Sequence, residues 1–389
     1  MKTVTSLPTP PVSAEAAAVL TALQQRLAAE VAQAGGWLGF DRFMELALYA
    51  PGLGYYANGS TKFGRMPQGT RQDDGSVQGA GSDFVTAPEM TPLFGYTLAH
   101  AVAQAMQATG TCELWEFGAG TGALARQLLT ALQAMGQRVD RYTIVDLSDS
   151  LKERQRQALS AHLDVVQWAT ALPATLQGVV VGHEVLDAMP VKLLARVNGT
   201  WLERGVVQDG AGWAWADRPT DLRPPLAVEG EHDYLTEIHP QAEAFVRTLG
   251  DRLQQGAILL LDYGFPEAEY YHPQRHMGTV MCHRAHLADA DPLEAVGLKD
   301  ITAHINFTGV AVAAQDAGLE LLGYTSQAHF LINCGLVDLM QNASLPERVA
   351  AQKLILEHEM GELFKVIGLA TSADWAAQGF DRGDRSHRL

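Results

Sequence analysis

One stretch decides how the chain reads: Leu114-Trp-Glu-Phe-Gly-Ala-Gly-Thr-Gly122. A short apolar run containing one carboxylate gives way to glycines at 118, 120 and 122, and then to leucines at 124, 128 and 132. Those leucines share one face of a helix, and Gly136 is a fitting stop signal for it. The stretch therefore reads as strand, tight turn, helix. Glycines in such a turn let the backbone bend sharply and approach a ligand with no Cβ in the way. The helix start behind them offers unpaired N–H groups to a polar or anionic group.

The same alternation continues on either side. Strands are expected at 113–117, 142–147, 165–168, 179–183 and 257–263, with helices at 123–135 and 150–162. Short apolar strands alternating with helices predict a Rossmann-like α/β fold, with a parallel sheet covered on both faces. Ligands in such sheets sit at the carboxyl ends of the strands. Upstream, a helix over 14–34 stops at Gly35-Gly36, and a second over 41–49 precedes Pro51. A polar, glycine-rich loop follows over 52–82. Between 191 and 239 the period changes, and 193–197 with 201–207 predict a hairpin about Asn198-Gly199. The expected organisation is an N-terminal helical extension and lid over 1–100, then the core over 101–335 with a β-rich insertion at 191–239. A C-terminal helical segment is expected over 336–389. Its apolar part, 345–369, is expected to pack on the core or on a second subunit, so a homodimer is one expected assembly.

The composition narrows the function classes. With 389 residues and 47% hydrophobic content the chain can bury a full core. A net charge of −16 makes it a poor match for nucleic acid, which needs clustered Lys and Arg. The same charge favours a cationic substrate or partner, or simply keeps an acidic surface solvated. Cys112, Cys282 and Cys334 are odd in number, far apart and outside any C-x-x-C, so neither a disulfide framework nor a zinc site of usual spacing is expected. His272 and His276, and His283 and His286, have tempting spacings, but Pro273 interrupts the first pair and no carboxylate pattern accompanies them. No metal and no membrane insertion are expected. With no secretory or transit pattern at the N-terminus, a cytoplasmic location in a bacterium is expected.

The glycine loop alone leaves its ligand open. Gly118, Gly120 and Ala123 also satisfy the dinucleotide fingerprint, and an empty structural loop is a third reading. Glu116 favours S-adenosylmethionine, because a carboxylate there suits the cationic end of that cofactor and would repel a pyrophosphate. Asp146, closing the next strand, suits the ribose hydroxyls of either cofactor. Phe84 and Thr86 are expected to close over the cofactor from the N-terminal side. Trp168, ending the third strand, either stacks on adenine or packs in the core. Leu147 and His183 are also assigned to the cofactor pocket. Glu184 and Asp187, following the valine strand, are the expected catalytic carboxylates, with Glu89 as a third.

Several further segments stand in a telling order. They include Phe40-Asp-Arg-Phe-Met-Glu-Leu-Ala-Leu-Tyr49, Asp83-Phe-Val-Thr-Ala-Pro-Glu89, Gly182-His-Glu-Val-Leu-Asp-Ala-Met-Pro-Val191 and Glu237-Ile-His-Pro240. Leu261-Asp-Tyr-Gly264 and Asp300-Ile-Thr-Ala-His304 follow. Together with the glycine loop they resemble the MidA-like family of class I methyltransferases, whose mitochondrial members assist assembly of respiratory complex I. The resemblance implies a mostly parallel seven-stranded sheet and S-adenosyl-L-methionine as cofactor. It also implies an arginine of a protein, of the complex I subunit type, as methyl acceptor. His286 and His304 match family positions and are expected to line the substrate pocket. Ser82 replaces the usual glycine, the loop before it is longer here, and His183 stands where many relatives carry Asn. A small-molecule acceptor and a non-catalytic assembly factor are the alternatives. Intact Glu116, glycines and Asp146 speak against the second.

Methyl transfer from a sulfonium is a direct displacement, so alignment of the nucleophile supplies much of the rate. An arginine acceptor is charged at any ordinary pH and must lose a proton, and carboxylates can clamp its planar guanidinium while it does so.

Overall fold

The main sheet follows a path of seven strands: β1 (Glu113–Phe117), β2 (Arg141–Val145), β3 (Val166–Ala169), β4 (Leu176–His183), β5 (Leu253–Phe265), β6 (Glu320–Ser326) and β7 (Phe364–Ala370). Their order across the sheet is β6-β7-β5-β4-β1-β2-β3. The five strands from β5 to β3 are mutually parallel, and β7 runs antiparallel to both of its neighbours. A two-residue strand, Ile305–Asn306, adds to the end of β5. The computed structural model describes residues 14–58, 68–71, 77–80, 85–146, 149–284 and 287–389. Phe84, Leu147, His286 and most of the long loop before residue 85 lie outside the described residues. Among the described residues no helix is long and apolar enough to cross a membrane.

Burial on both faces explains the near-continuous apolar strands. Val179, Val180 and Val181 of β4 are fully buried, because each face of the sheet carries its own helical layer. Leu98, Val102 and Met106 of the helix Leu93–Thr109 pack on one face, together with Leu124, Leu128 and Leu132 of Ala123–Ala134. On the other face lie Val246 and Leu249 of Pro240–Arg252, and Val310 and Ala314 of Phe307–Asp316. The strand order reverses between β1 and β4, which places the ligand crevice at the carboxyl ends of that pair.

Two expected boundaries are corrected. The C-terminal segment 336–389 contains helices Leu336–Gln341 and Leu345–Ile355, but it also supplies β7, which lies inside the sheet between β5 and β6. Every residue of Phe364–Ala370 is buried, so apart from Lys365 the strand shows no polar alternation, and its apolar stretch matches a buried helix equally well. The boundary at residue 100 runs through the helix Leu93–Thr109, which belongs to the core.

The insertion is an antiparallel sheet of Lys192–Val197, Thr200–Asp209, Gly212–Pro219 and Tyr234–Ile238, with Leu38–Gly39 at one edge. Its hairpin turns through Asn198 (φ 48°) and Gly199 (φ 77°), the paired left-handed conformations that Asn-Gly supplies at little cost. Met281–Arg284, Leu287–Asp289 and Asp300–Thr302 form a small antiparallel sheet that the sequence did not announce. The helix Phe40–Tyr49 brings Tyr49 and the following Tyr56 across to the crevice.

Candidate active site

The glycine loop leaves β1 through three left-handed residues, Gly118 (φ 64°), Gly120 (φ 53°) and Gly122 (φ 85°). A Cβ on Gly122 would lie 3.3 Å from the Gln155 Cα, and one on Gly118 would lie 3.2 Å from a Val185 methyl. Beneath the loop, Glu116 is buried and accepts the Tyr142 hydroxyl at 2.8 Å. Burial lifts its carboxyl to about 8; the Tyr142 hydrogen bond offsets part of the rise and the Asp146 charge adds to it.

Asp146, at the end of β2, is held by a residue the sequence reading missed. Gln155 donates from Nε2 to Asp146 Oδ2 at 2.8 Å and to the Gly120 carbonyl at 3.0 Å. Its Oε1 accepts the indole N–H of Trp168 at 2.8 Å. A neutral amide on a polar helix gives no chemical signal in a sequence, whereas here it joins three of the expected cofactor residues. Trp168 packs against the main core, and the Arg156 guanidinium lies 5.1 Å from its ring centroid.

Thr86 opens the short helix Ala87–Met90, its carbonyl accepting the Glu89 N–H at 3.0 Å. Gln127 pins this segment by donating to the Pro88 carbonyl at 2.7 Å and accepting the Gly95 N–H at 3.1 Å. The Glu89 carboxylate accepts the hydroxyl of Thr121, inside the glycine loop. That contact sets Glu89, expected as a third carboxylate on the acceptor, against the glycine loop. The pieces fit S-adenosyl-L-methionine, with a buried carboxylate under a left-handed glycine turn and a second carboxylate at the end of the next strand.

A second group of carboxylates gathers at the ends of β4 and β5. Asp262 Oδ2 accepts the N–H groups of Val185, Leu186 and Asp187 at 3.2, 2.9 and 3.2 Å, and its Oδ1 accepts that of Tyr263 at 2.9 Å. It thereby folds the loop that presents Glu184 and Asp187. Glu184 sits at φ 53°, a left-handed conformation that a side-chain-bearing residue holds only when its surroundings impose it. Asp187 accepts the Tyr263 hydroxyl and the Ala188 N–H, yet burial still raises it to about 6. Burial also raises Glu184 well above the ordinary range, and the charges that add to the shift are those of Asp187, Asp262 and Asp300.

His183 Nε2 and Glu184 Oε1 face each other at 3.4 Å, and neither atom makes a hydrogen bond. The His183 ring lies edge-on to Phe94, with centroids 4.9 Å apart, and parallel to Phe364 at 6.0 Å. Burial holds its pKa near 3, so the ring is neutral. Tyr49 donates to the Ala188 carbonyl at 2.9 Å, and Tyr56 donates to Asp300 Oδ1 at 2.8 Å. His304 stands 5.6 Å from the Tyr263 ring, lowered to about 4 by burial. Tyr49, Tyr56, Asp262, Tyr263 and Asp300 are scattered over the sequence and meet only through the topology.

The family model described as "Putative S-adenosyl-L-methionine-dependent methyltransferase" matches residues 97–325. The chain is 26% identical over 383 residues to the mitochondrial protein arginine methyltransferase NDUFAF7 of Danio rerio, covering 87% of this chain and 85% of the relative. With the Drosophila melanogaster homolog of that protein it shares 27% over 409 residues, covering 92% and 87%. A crystal structure of a Burkholderia thailandensis protein bound to S-adenosyl-homocysteine superposes with a TM-score of 0.91 at 50% identity, covering 99% of this chain and 100% of that one.

Proposed function

The chain belongs to this family of S-adenosyl-L-methionine-dependent methyltransferases, and from that premise we propose that its methyl acceptor is an arginine side chain of a protein. One observation carries the proposal: the charges that act on buried Glu184 are themselves carboxylates, those of Asp187, Asp262 and Asp300. Burial keeps such a group protonated until a cation enters, and a guanidinium is the planar, permanently charged cation that carboxylates clamp best.

S-adenosyl-L-methionine supplies a methyl group on a sulfonium. Asp146 holds the ribose diol and Glu116 the cationic end. Glu184 and Asp187 receive the guanidinium and fix its plane, so that one nitrogen faces the methyl carbon. The raised carboxyls ionise as the cation enters, since an opposite charge restores the form that burial disfavours. When the nitrogen–carbon bond forms and the carbon–sulfur bond breaks, the nitrogen must shed a proton, and the Glu184 carboxylate accepts it. The relatives named protein arginine methyltransferases support the acceptor class, and the motif resemblance points to a complex I subunit as its bearer.

The test uses the purified protein, S-adenosyl-L-methionine labelled in its methyl group, and extract of cells lacking the enzyme. Label recovered as methylarginine after protein hydrolysis is the expected result. Label found only in small molecules, or only in another amino acid, overturns the proposal.

A further inference from the structure

The residue that ties the cofactor half together is Gln155, on the helix Asp149–Ala158. Its side chain is fully buried and its polar atoms are all engaged by neighbours, so whatever it does to the cofactor it does through them. The amide has two N–H bonds and both are used, one on Asp146 Oδ2 and one on the Gly120 carbonyl. Its oxygen is also used, by the Trp168 indole N–H. Indole nitrogen can only donate, so the amide has a single allowed orientation. Turning it over would set oxygen against a carboxylate and a carbonyl, and an NH₂ group against an N–H. The helix backbone adds to this: its Cα at 155 and the Ala158 methyl occupy the space beside Gly122, at 3.3 and 3.6 Å from where a Cβ would stand.

We propose that Gln155 is a positioning residue for S-adenosyl-L-methionine: it locks the ribose carboxylate Asp146 and the glycine loop in one relative placement, with Trp168 as the latch that fixes its own orientation. The affinity for the cofactor is therefore set partly by a residue the cofactor never meets. Pre-placing Asp146 removes an ordering cost that binding would otherwise carry. This inference rests on the cofactor alone and stands whatever the methyl acceptor is.

The probe is S-adenosyl-homocysteine, titrated calorimetrically into the full chain. Gln155→Met keeps the length and volume of the side chain, suits a buried position and removes all three hydrogen bonds. It is expected to keep the wild-type melting temperature within a few degrees and to bind the probe roughly tenfold more weakly, the scale of losing hydrogen bonds that include a charged partner. Wild-type affinity in this variant overturns the proposal. Gln155→Glu supplies a readout that simple packing would not move. Ionised, it sets a carboxylate against Asp146; protonated, it can donate to Asp146 as the amide does. Its affinity is expected to fall below that of Gln155→Met at pH 8 and to recover toward it at pH 6, relative to wild type at each pH. A loss equal to that of Gln155→Met at both pH values overturns the proposed action through Asp146.

Discussion

The two halves of the crevice are built on opposite electrostatic plans. On the glycine-loop side each carboxylate has a donor supplied by the fold: Tyr142 for Glu116, Gln155 for Asp146, Thr121 for Glu89. On the side of β4 and β5, Glu184 crowds other carboxylates, its Oε1 makes no hydrogen bond, and its backbone is left-handed. The first half is finished before its ligand arrives, and the second keeps one buried carboxyl oxygen without a hydrogen bond. Pre-paired donors serve tight, repeated binding of one cofactor. Asp262, Asp187 and Asp300 have donors too, so the contrast rests on Glu184, whose Oε1 alone lacks one.

The largest expected effect lies in the finished half. Asp146→Ala is expected to weaken S-adenosyl-homocysteine binding by about a hundredfold or more, since bonds to a charged acceptor are each worth roughly 1.5–3 kcal/mol. Micromolar affinity in that variant, measured by calorimetry, would break the assignment. Glu184→Gln is expected to split the halves cleanly. Methyl transfer should fall by about 10²–10³, the range for removing one preorganised charge contact, while S-adenosyl-homocysteine binds as in wild type. Equal losses in both assays would mean that the halves are not separable.

A third expectation concerns pH. Glu116 is raised to about 8 when folded, so the native state keeps a proton the unfolded chain has released, and stability falls as pH rises from 4.5 toward 8. His183, held near 3, and His239 and His304, both held near 4, act in reverse: the unfolded chain binds protons below 6.5, and stability falls as pH drops. Glu184 and Asp187, also raised by burial, act in the same direction as Glu116, so the two sets oppose each other between pH 4.5 and 6.5 and the decline above pH 6.5 belongs to the raised carboxyls. Glu116→Gln should reduce the decline between pH 6.5 and 8 and steepen the histidine limb between pH 4.5 and 6.5, where Glu116 opposes it. An unchanged alkaline limb would remove Glu116 from the account. The smallest effect belongs to Tyr142→Phe, which takes one donor from Glu116 and should lower the melting temperature by a few degrees, on the scale of about 1 kcal/mol. A change in S-adenosyl-homocysteine affinity larger than that of Asp146→Ala would reverse the proposed ranking.

The legibility of the sequence follows the same division. The cofactor half is local: strand, glycine turn and helix lie within a few tens of residues, and Glu116 and Asp146 close consecutive strands, so pattern and chemistry coincide. Gln155 escaped because an uncharged side chain on a polar helix looks like solvent-facing surface. In the acidic half, Glu184 and Asp187 were visible as carboxylates after a buried strand. Asp262 and Asp300 stood in recognisable motifs, yet nothing local assigned them a task. Asp262 acquires one only when β5 lies beside β4 and three backbone N–H groups turn toward it. The strand β7 reads as part of a helix in the sequence because complete burial erases the periodicity that separates the two.

That strand also sets the order of assembly. The last strand of the sheet in sequence is not the last in space, for β7 threads between β5 and β6 and pairs with both. A ribosome delivering this chain exposes β6 well before its neighbour exists, so the growing sheet must wait with one flank unzipped until Ala370 has emerged. Closure then depends on a contact of long sequence separation, the slow kind. Refolding yield should be governed by how long that flank stays open, and chaperone binding during synthesis should map to the side of β5 and β6, away from the glycine loop.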